Sequence, residues 1–194
     1  MDCAKVGRLI YQLRKEKGMT QKQLADQLRL SAKTVSKWEC GLGCPDVSLL
    51  AELSGVLDTD IEKILSGNLS PNETDGGNMK KIRFYVCPTC GNTLTATGDG
   101  TISCCGRKLQ ALPVQDADPA HTPEITEVEE DLYLTLPHPM TKAHFITFVA
   151  YATCNVLMLV KLYPEQNPEL RIPNLRGDGT LYLHCNQAGL FRIR

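Results

Sequence analysis

The chain has 194 residues, a net charge of −1 and 42% hydrophobic residues, enough for one large domain or two to three small ones. That balance excludes a polycation that coats nucleic acid along its whole length, and no apolar run is long enough to span a bilayer. Nine cysteines in a chain without a signal-peptide pattern are expected to be cytoplasmic, and so to serve metal or redox chemistry rather than disulfides.

In chain order, Val6, Leu9, Ile10 and Leu13 make an apolar stripe that predicts a helix over 4–17, ended by Gly18. Residues 20–39, TQKQLADQLRLSAKTVSKWE, read as two short helices joined by a tight turn. Thr20 and Gln23 have the spacing of a capping box, and Leu24, Ala25 and Leu28 make one buried face. Ser31 is a second cap, with Val35 and Trp38 behind it on the inner side of the next helix. Outward are left Ala32, Lys33, Thr34, Ser36 and Lys37, whose small, hydroxylated or cationic side chains suit a helix pressed into a DNA major groove. Gly41 and Gly43 can stop that helix. Up to Lys37, nine cations face only Asp2, Glu16 and Asp26, the charge excess expected for phosphate contact.

Pro45-Asp46 opens a fourth predicted helix, with Val47, Leu49, Leu50 and Leu53 as candidate core. A fifth over 58–65 offers Ile61, Ile64 and Leu65. These five helices make a small bundle over 1–66. GNLSPNETDGGN then marks a flexible linker over 67–79. Beyond it the pattern becomes extended. Strands are expected over 82–86, 132–136, 145–152, 155–163 and 180–185, with turn signals such as Arg176-Gly-Asp-Gly179 between them. The reading is a multidomain α + β chain, with a small metal knuckle over 80–112 and an antiparallel β-sandwich over 113–194.

Two thiol pairs carry the chemistry of the second half: Cys87-Pro-Thr-Cys90-Gly and Cys104-Cys105-Gly. CxxC followed by Gly wraps one side of a metal, and the second pair closes a tetrahedron across a predicted hairpin over 93–100. Tetrahedral S₄ sites take Zn²⁺ or Fe. Adjacent ligands such as Cys104 and Cys105 are expected to distort that tetrahedron. Cys3, Cys40, Cys44 and Cys154 read as ordinary thiols. Cys40 and Cys44 are close enough in sequence for a redox pair, with packing the preferred reading.

Two resemblances sit on these motifs. The T-Q-x-x-L-A, Val35 and S-K-W-E-x-G elements resemble the Cro/cI-type helix-turn-helix of the XRE regulators. That resemblance implies that Ala32, Lys33 and Thr34, then Lys37, meet base edges and that Gln21 holds a backbone phosphate. The family's turn usually carries Gly, where this chain has Arg29; a non-Gly residue can sit there at a cost of roughly 1 kcal/mol. The C-x-x-C-G … C-C-G pattern resembles the knuckle of desulforedoxin and desulfoferrodoxin. Similarity to the superoxide reductase domain continues through His121-Thr-Pro, Leu136-Pro-His138-Pro-Met140-Thr, His144-Phe-Ile and Tyr182-Leu-His-Cys185-Asn.

The second resemblance implies iron (or zinc) on Cys87, Cys90, Cys104 and Cys105, and a second iron on His121, His138, His144 and Cys185. The family's fourth imidazole falls on Ala188 and its Lys on Ala120, so the implied enzyme lacks a ligand and a cation. His184 substitutes only if its strand bulges or ends, because alternate strand residues face opposite ways. Together these readings imply a cytoplasmic transcriptional regulator. It would bind a double-stranded DNA operator as a homodimer, stay off the membrane, and carry a metal- or redox-sensing C-terminal module. The alternative is a superoxide reductase fused to a DNA-binding domain; a decayed dimerisation module is a third reading.

Overall fold

A computed structural model of the chain describes residues 2–72, 74, 76–174 and 178–193, in two compact units divided along the chain after Pro71. Part of the predicted 176–179 turn lies outside the described residues. The first unit is helical: α1 (Cys3–Glu16), α2 (Gln21–Gln27), α3 (Ala32–Glu39), α4 (Leu50–Leu57) and α5 (Ile61–Ser66). Its local start signals are realised. Asp2 caps α1 by accepting from the backbone of Ala4 and Lys5. Thr20 and Gln23 exchange both bonds of the capping box, at 2.7 and 3.1 Å, and Ser31 accepts from Thr34 N–H at 3.2 Å to start α3. Arg29 carries the left-handed turn with φ 55°, as its place in the motif requires.

The helical core is built from Val6, Leu9, Ile10 and Leu13 of α1 with Leu24, Leu28, Val35, Trp38, Leu53 and Ile64. Gly7 sets how closely α1 meets α3: a Cβ there would lie 1.9 Å from the Trp38 carbonyl oxygen. Three predicted core residues stay outside the core. Val47 is 76% exposed, because Val47–Leu49 forms a single 3-10 turn and the fourth α-helix begins only at Leu50. In α5, six residues long, only Ile64 is buried; Ile61 and Leu65 remain exposed.

The second unit contains twelve strands among the described residues. β1 (Arg83–Val86) pairs with β2 (Thr93–Ala96), and β3 (Ile102–Cys104) with β4 (Arg107–Leu109). The predicted 93–100 hairpin is thus a strand, β2, and the connection that follows it. The two hairpins are β1–β2 and β3–β4, each carrying one thiol pair at its turn. The sandwich comprises β5 (Val114–Asp116), β6 (Glu124–Val128), β7 (Asp131–Thr135), β8 (Ile146–Ala152), β9 (Leu157–Lys161), β10 (Glu169–Pro173), β11 (Thr180–Cys185) and β12 (Gly189–Ile193). A three-stranded sheet, β10-β7-β6, faces a five-stranded one, β5-β12-β11-β8-β9. All pairings are antiparallel except β5 on β12, which is parallel.

Strand alternation gives the five-stranded sheet two buried faces. Val149, Leu181, Leu183, Cys185 and Phe191 point into the inter-sheet core. Phe148, Ala150, Tyr182 and Leu190 pack on the other side with Ile82 and Phe84. Phe84 stacks on Phe148 at 5.3 Å, so β1 seals a face that would otherwise expose aromatic surface. At the β8–β11 pairing, His184 opposes Phe148 while Cys185 opposes Ile146. Thr147 is therefore the extra residue of a bulge.

Candidate metal centres and nucleic-acid interface

On α3, Ala32, Lys33 and Lys37 are exposed, and Thr34 and Ser36 half-buried, while Val35 and Trp38 are buried behind them. Helical periodicity alone produces that division. The Thr34 and Ser31 hydroxyls lie 2.9 Å apart. Gln21, expected at a phosphate, is half-buried and donates from Nε2 to Glu39 at 2.8 Å.

Glu39 anchors the whole motif. It receives Arg14 Nε at 2.5 Å and a second guanidinium nitrogen at 2.8 Å, with both side chains buried. Arg14 also donates to the Met19 carbonyl at 2.6 Å, so one fork joins α1, the segment before α2, and α3. Burial alone would push the Glu39 carboxyl up; the bonds from Arg14 and Gln21 outweigh that and hold it below 4.5. Sequence reasoning saw Glu39 only as a letter of the S-K-W-E motif; the matching cation stands 25 residues earlier.

One sulfur assignment is corrected. Cys3 and Cys44 are joined in a disulfide with Cα atoms 5.0 Å apart, not separate thiols, and Cys40 takes no part in it. The cause is the path of the chain after α3, which turns back at Gly41 (φ 72°). A Cβ on Gly41 would lie 3.1 Å from Ala4 Cα. That close approach carries the following residues to the start of α1.

In the second unit the sulfur atoms of Cys87, Cys90, Cys104 and Cys105 all lie within 4.8 Å of one another. Cys90 and Cys104 are 3.6 Å apart, and Cys104 and Cys105 4.0 Å. The turn geometry explains the adjacent pair. Cys105 (φ 51°) and Gly106 (φ 72°) are the two central residues of a two-residue hairpin turn in which both are left-handed. Turning the backbone at Cys105 brings its sulfur to the same side as that of Cys104. Opposite, Gly91 N–H donates to the Cys87 carbonyl and Cys87 N–H to the Asn92 carbonyl, both at 2.9 Å. Asn92 Nδ2 lies 3.8 Å from Cys104 Sγ.

The Cys90 backbone N–H leads in pulling the Cys87 thiol down to about 6, whereas Cys105, bonded first to Cys90, is pushed up to about 12. Four crowded thiols cannot all ionise unless a cation shares their charge. The donor set fits a tetrahedral S₄ ion.

The second group is assembled from four segments: His121 before β6, His138 after β7, His144 before β8 and Cys185 at the end of β11. Their ligand atoms also lie within 4.8 Å of one another. His144 Nε2 is 3.1 Å from both His138 Nε2 and Cys185 Sγ. Asp118 fixes His121 by accepting from its backbone N–H at 2.9 Å and pairing with Nδ1 at 2.8 Å. The His121 ring stacks on Phe191 at 4.2 Å. Its Nε2 is buried without a hydrogen-bond partner, a lone pair aimed into the group, as a metal ligand requires. Burial, then the neighbouring imidazoles of His144 and His121, lower His138 to about 4, keeping it in the neutral form that ligates metals.

Asn186 holds the His144 segment beside Cys185. Its Oδ1 accepts from Phe145 N–H and its Nδ2 donates to the Ala143 carbonyl, both at 2.9 Å. His184 stays apart. The bulge inserts Thr147 in β8 but leaves β11 alternating, so His184 stacks on Phe148 at 5.2 Å and pairs with Thr147 Oγ1 at 2.7 Å. Ala188 and Ala120 are exposed and bring no donor side chain. Asp118 and Asn186 were not predicted as site residues; a carboxylate three positions before a candidate ligand was the available signal.

The class these features define is a helix-turn-helix DNA-binding domain followed by a β-rich module of the superoxide reductase fold, with cysteine and histidine groups able to bind metal. Comparisons with known proteins agree on both parts. A family model described as helix-turn-helix matches residues 10–64. The HTH-type transcriptional activator BcrR of Enterococcus faecalis is 40% identical over 80 residues, or 40% of this chain and 39% of that protein. The chain thus spans about two fifths of that activator's length. Desulfoferrodoxin of Syntrophotalea carbinolica is 28% identical over 120 residues, covering 58% of this chain and 95% of that one. The superoxide reductase of Treponema pallidum superposes with a TM-score of 0.50 at 23% identity, over 58% of this chain and 97% of that one. At that identity the likeness speaks for fold alone. No helix among the described residues is long and apolar enough to cross a membrane.

Proposed function

We propose that the protein is a transcriptional regulator whose α3 row reads operator DNA and whose C-terminal module holds iron and reports metal or oxidant state. Ala32, Lys33, Thr34, Ser36 and Lys37 supply the contacts to the groove. Gln21 reaches a phosphate only by releasing Glu39. The chain acts as a homodimer on half-sites on the order of 34 Å apart. Cys87, Cys90, Cys104 and Cys105 hold the first ion; His121, His138, His144 and Cys185 hold a second. What carries this reading is the convergence of two four-donor groups, each within 4.8 Å, in one chain with a helix-turn-helix.

The test is DNA affinity of the full chain when iron-loaded, chelated and peroxide-treated. A change of tenfold or more between states is expected; equal affinity in all three ends the sensing claim and leaves a regulator without a sensor.

A second reading is favoured by the orphaned His121 Nε2: a superoxide reductase fused to a DNA-binding domain. A bound iron would supply the one-electron chemistry. The protein's part is then to orient three imidazoles and a thiolate through Asp118 and Asn186. The missing cation at Ala120 and missing imidazole at Ala188 weigh against it. Superoxide decay no faster than with free iron would end this reading, and A188H should quicken the decay if the other ligands are in place.

A further inference from the structure

The Cys3–Cys44 bond belongs to the helical unit and shares no residue with either candidate metal group. Its position is specific. Cys3 is the first residue of α1, and Cys44 sits five residues beyond the last residue of α3. The covalent loop spans a sequence separation of 41 and encloses α1, α2 and α3. Both cysteines are half-buried, open to a small reagent.

Gly41 packs on Ala4, a contact beside the bond that also holds the chain after α3 against the start of α1. The Cα separation of 5.0 Å falls in the range a disulfide spans without backbone movement.

We propose that Cys3 and Cys44 form a reversible dithiol–disulfide site, oxidised by hydroperoxides or small-molecule disulfides, that pins the segment after α3 to the start of α1. With a hydroperoxide, one thiolate attacks the terminal oxygen. The O–O bond breaks, the cysteine becomes a sulfenic acid, and an alcohol or water leaves with the proton. The second thiol then attacks the sulfenic sulfur, forming the S–S bond, and the displaced hydroxide leaves as water with that thiol's proton. Two thiols lose two electrons and two protons, and the peroxide gains them. A monothiol such as glutathione reverses the step through a mixed disulfide, two equivalents being consumed.

The bond closes a ring around the three helices that hold the exposed row of α3. The oxidised form is the rigid one, and reduction frees residues 40–46 to move at the end of that helix. The consequence for DNA, tighter binding when oxidised, rests on the regulator reading above; the redox site itself does not.

The experiment uses the full chain, equilibrated over a series of glutathione redox ratios and after hydrogen peroxide, trapped by differential alkylation and read by peptide mass spectrometry. A Cys3–Cys44 linked peptide should appear under oxidant and disappear under excess glutathione. The helical unit should melt about 10 °C lower when reduced, and Cys3→Ala and Cys44→Ser, made separately, should melt alike in both conditions. No linked peptide at any ratio, or one that survives excess glutathione, overturns the proposal. Binding to sheared genomic duplex DNA, by anisotropy, separates the two ideas. Oxidised protein binding at least threefold tighter supports the coupling, whereas equal binding in both states removes the coupling and spares the regulator. Binding in neither state, with the linked peptide still forming and reducing, removes the regulator reading and spares the redox site.

Discussion

The exposed row on α3 and the His/Cys group of the sandwich are built in opposite ways. The row comes from one contiguous helix whose inner face is fixed by Val35 and Trp38, so local periodicity decides what faces out. The His/Cys group gathers side chains from positions 121 to 185 across four segments, so no single element assembles it. Asp118 aims His121, and Asn186 holds the segment bearing His144. The cysteine knuckle lies between these extremes, with two hairpin turns, each locally determined, facing one another. In a contiguous site the helix sets which side chains face out; in an assembled one separate supports bring the side chains together.

The largest effect expected from that contrast is at the knuckle. Its apolar cluster has only three buried members among the described residues, Tyr85, Cys87 and Leu109, so a bound ion would supply much of its folding energy, on the order of 10 kcal/mol for structural sites of this kind. Cys90→Ser should remove one metal per chain by elemental analysis and unfold 83–109, while the melting of the helical unit stays put.

Glu39→Ala comes next. It leaves Arg14 buried without its partner and should destabilise the helical unit by about 3–5 kcal/mol, seen in thermal melts, with metal content unchanged. If metal content falls as well, the two units are not as separate as the contrast requires. Asp118→Ala should follow, weakening metal at the histidine group about 10- to 100-fold while the knuckle ion stays, by competitive chelator titration. Equal loss from both sites would break the contrast.

Acid sharpens it further. The Glu39 carboxyl lies below its ordinary 4.5, so the unfolded state takes up a proton first. Its stabilisation is complete above that pH and declines as the pH falls through and below it, a slope that Glu39→Gln should flatten in acid melts. Smallest is Thr20→Ala, about 1 kcal/mol from loss of one half of the capping box.

What the sequence disclosed follows the same division. The caps at Thr20 and Ser31, the left-handed Arg29 and the run of β11 each depend on neighbours within a few residues, and all were legible. Val47, Ile61 and Leu65 were misplaced because hydrophobicity marks a residue fit for burial without showing that a short helix has room to bury it. The Cys3–Cys44 bond escaped because the compartment argument spoke against disulfides and the fold-back at Gly41 is tertiary. The parallel pairing of β5 and the bulge at Thr147 depend on partners far along the chain. Strand alternation alone placed His184 away from Cys185, and the bulge, falling on β8, left that intact. The eight candidate ligands could be named from their motifs, and Asp118 stood within reach as a carboxylate three residues before His121; the part played by Asn186 shows only through its contacts.

Gly7 carries a quieter implication. The tilt of α3 is set where its backbone rests on a glycine of α1, since even a methyl group there would collide with the Trp38 carbonyl. Substituting that hidden spacer would shift all the outward side chains as a block, altering reach without changing any surface chemistry. The aim of the surface is therefore governed from inside.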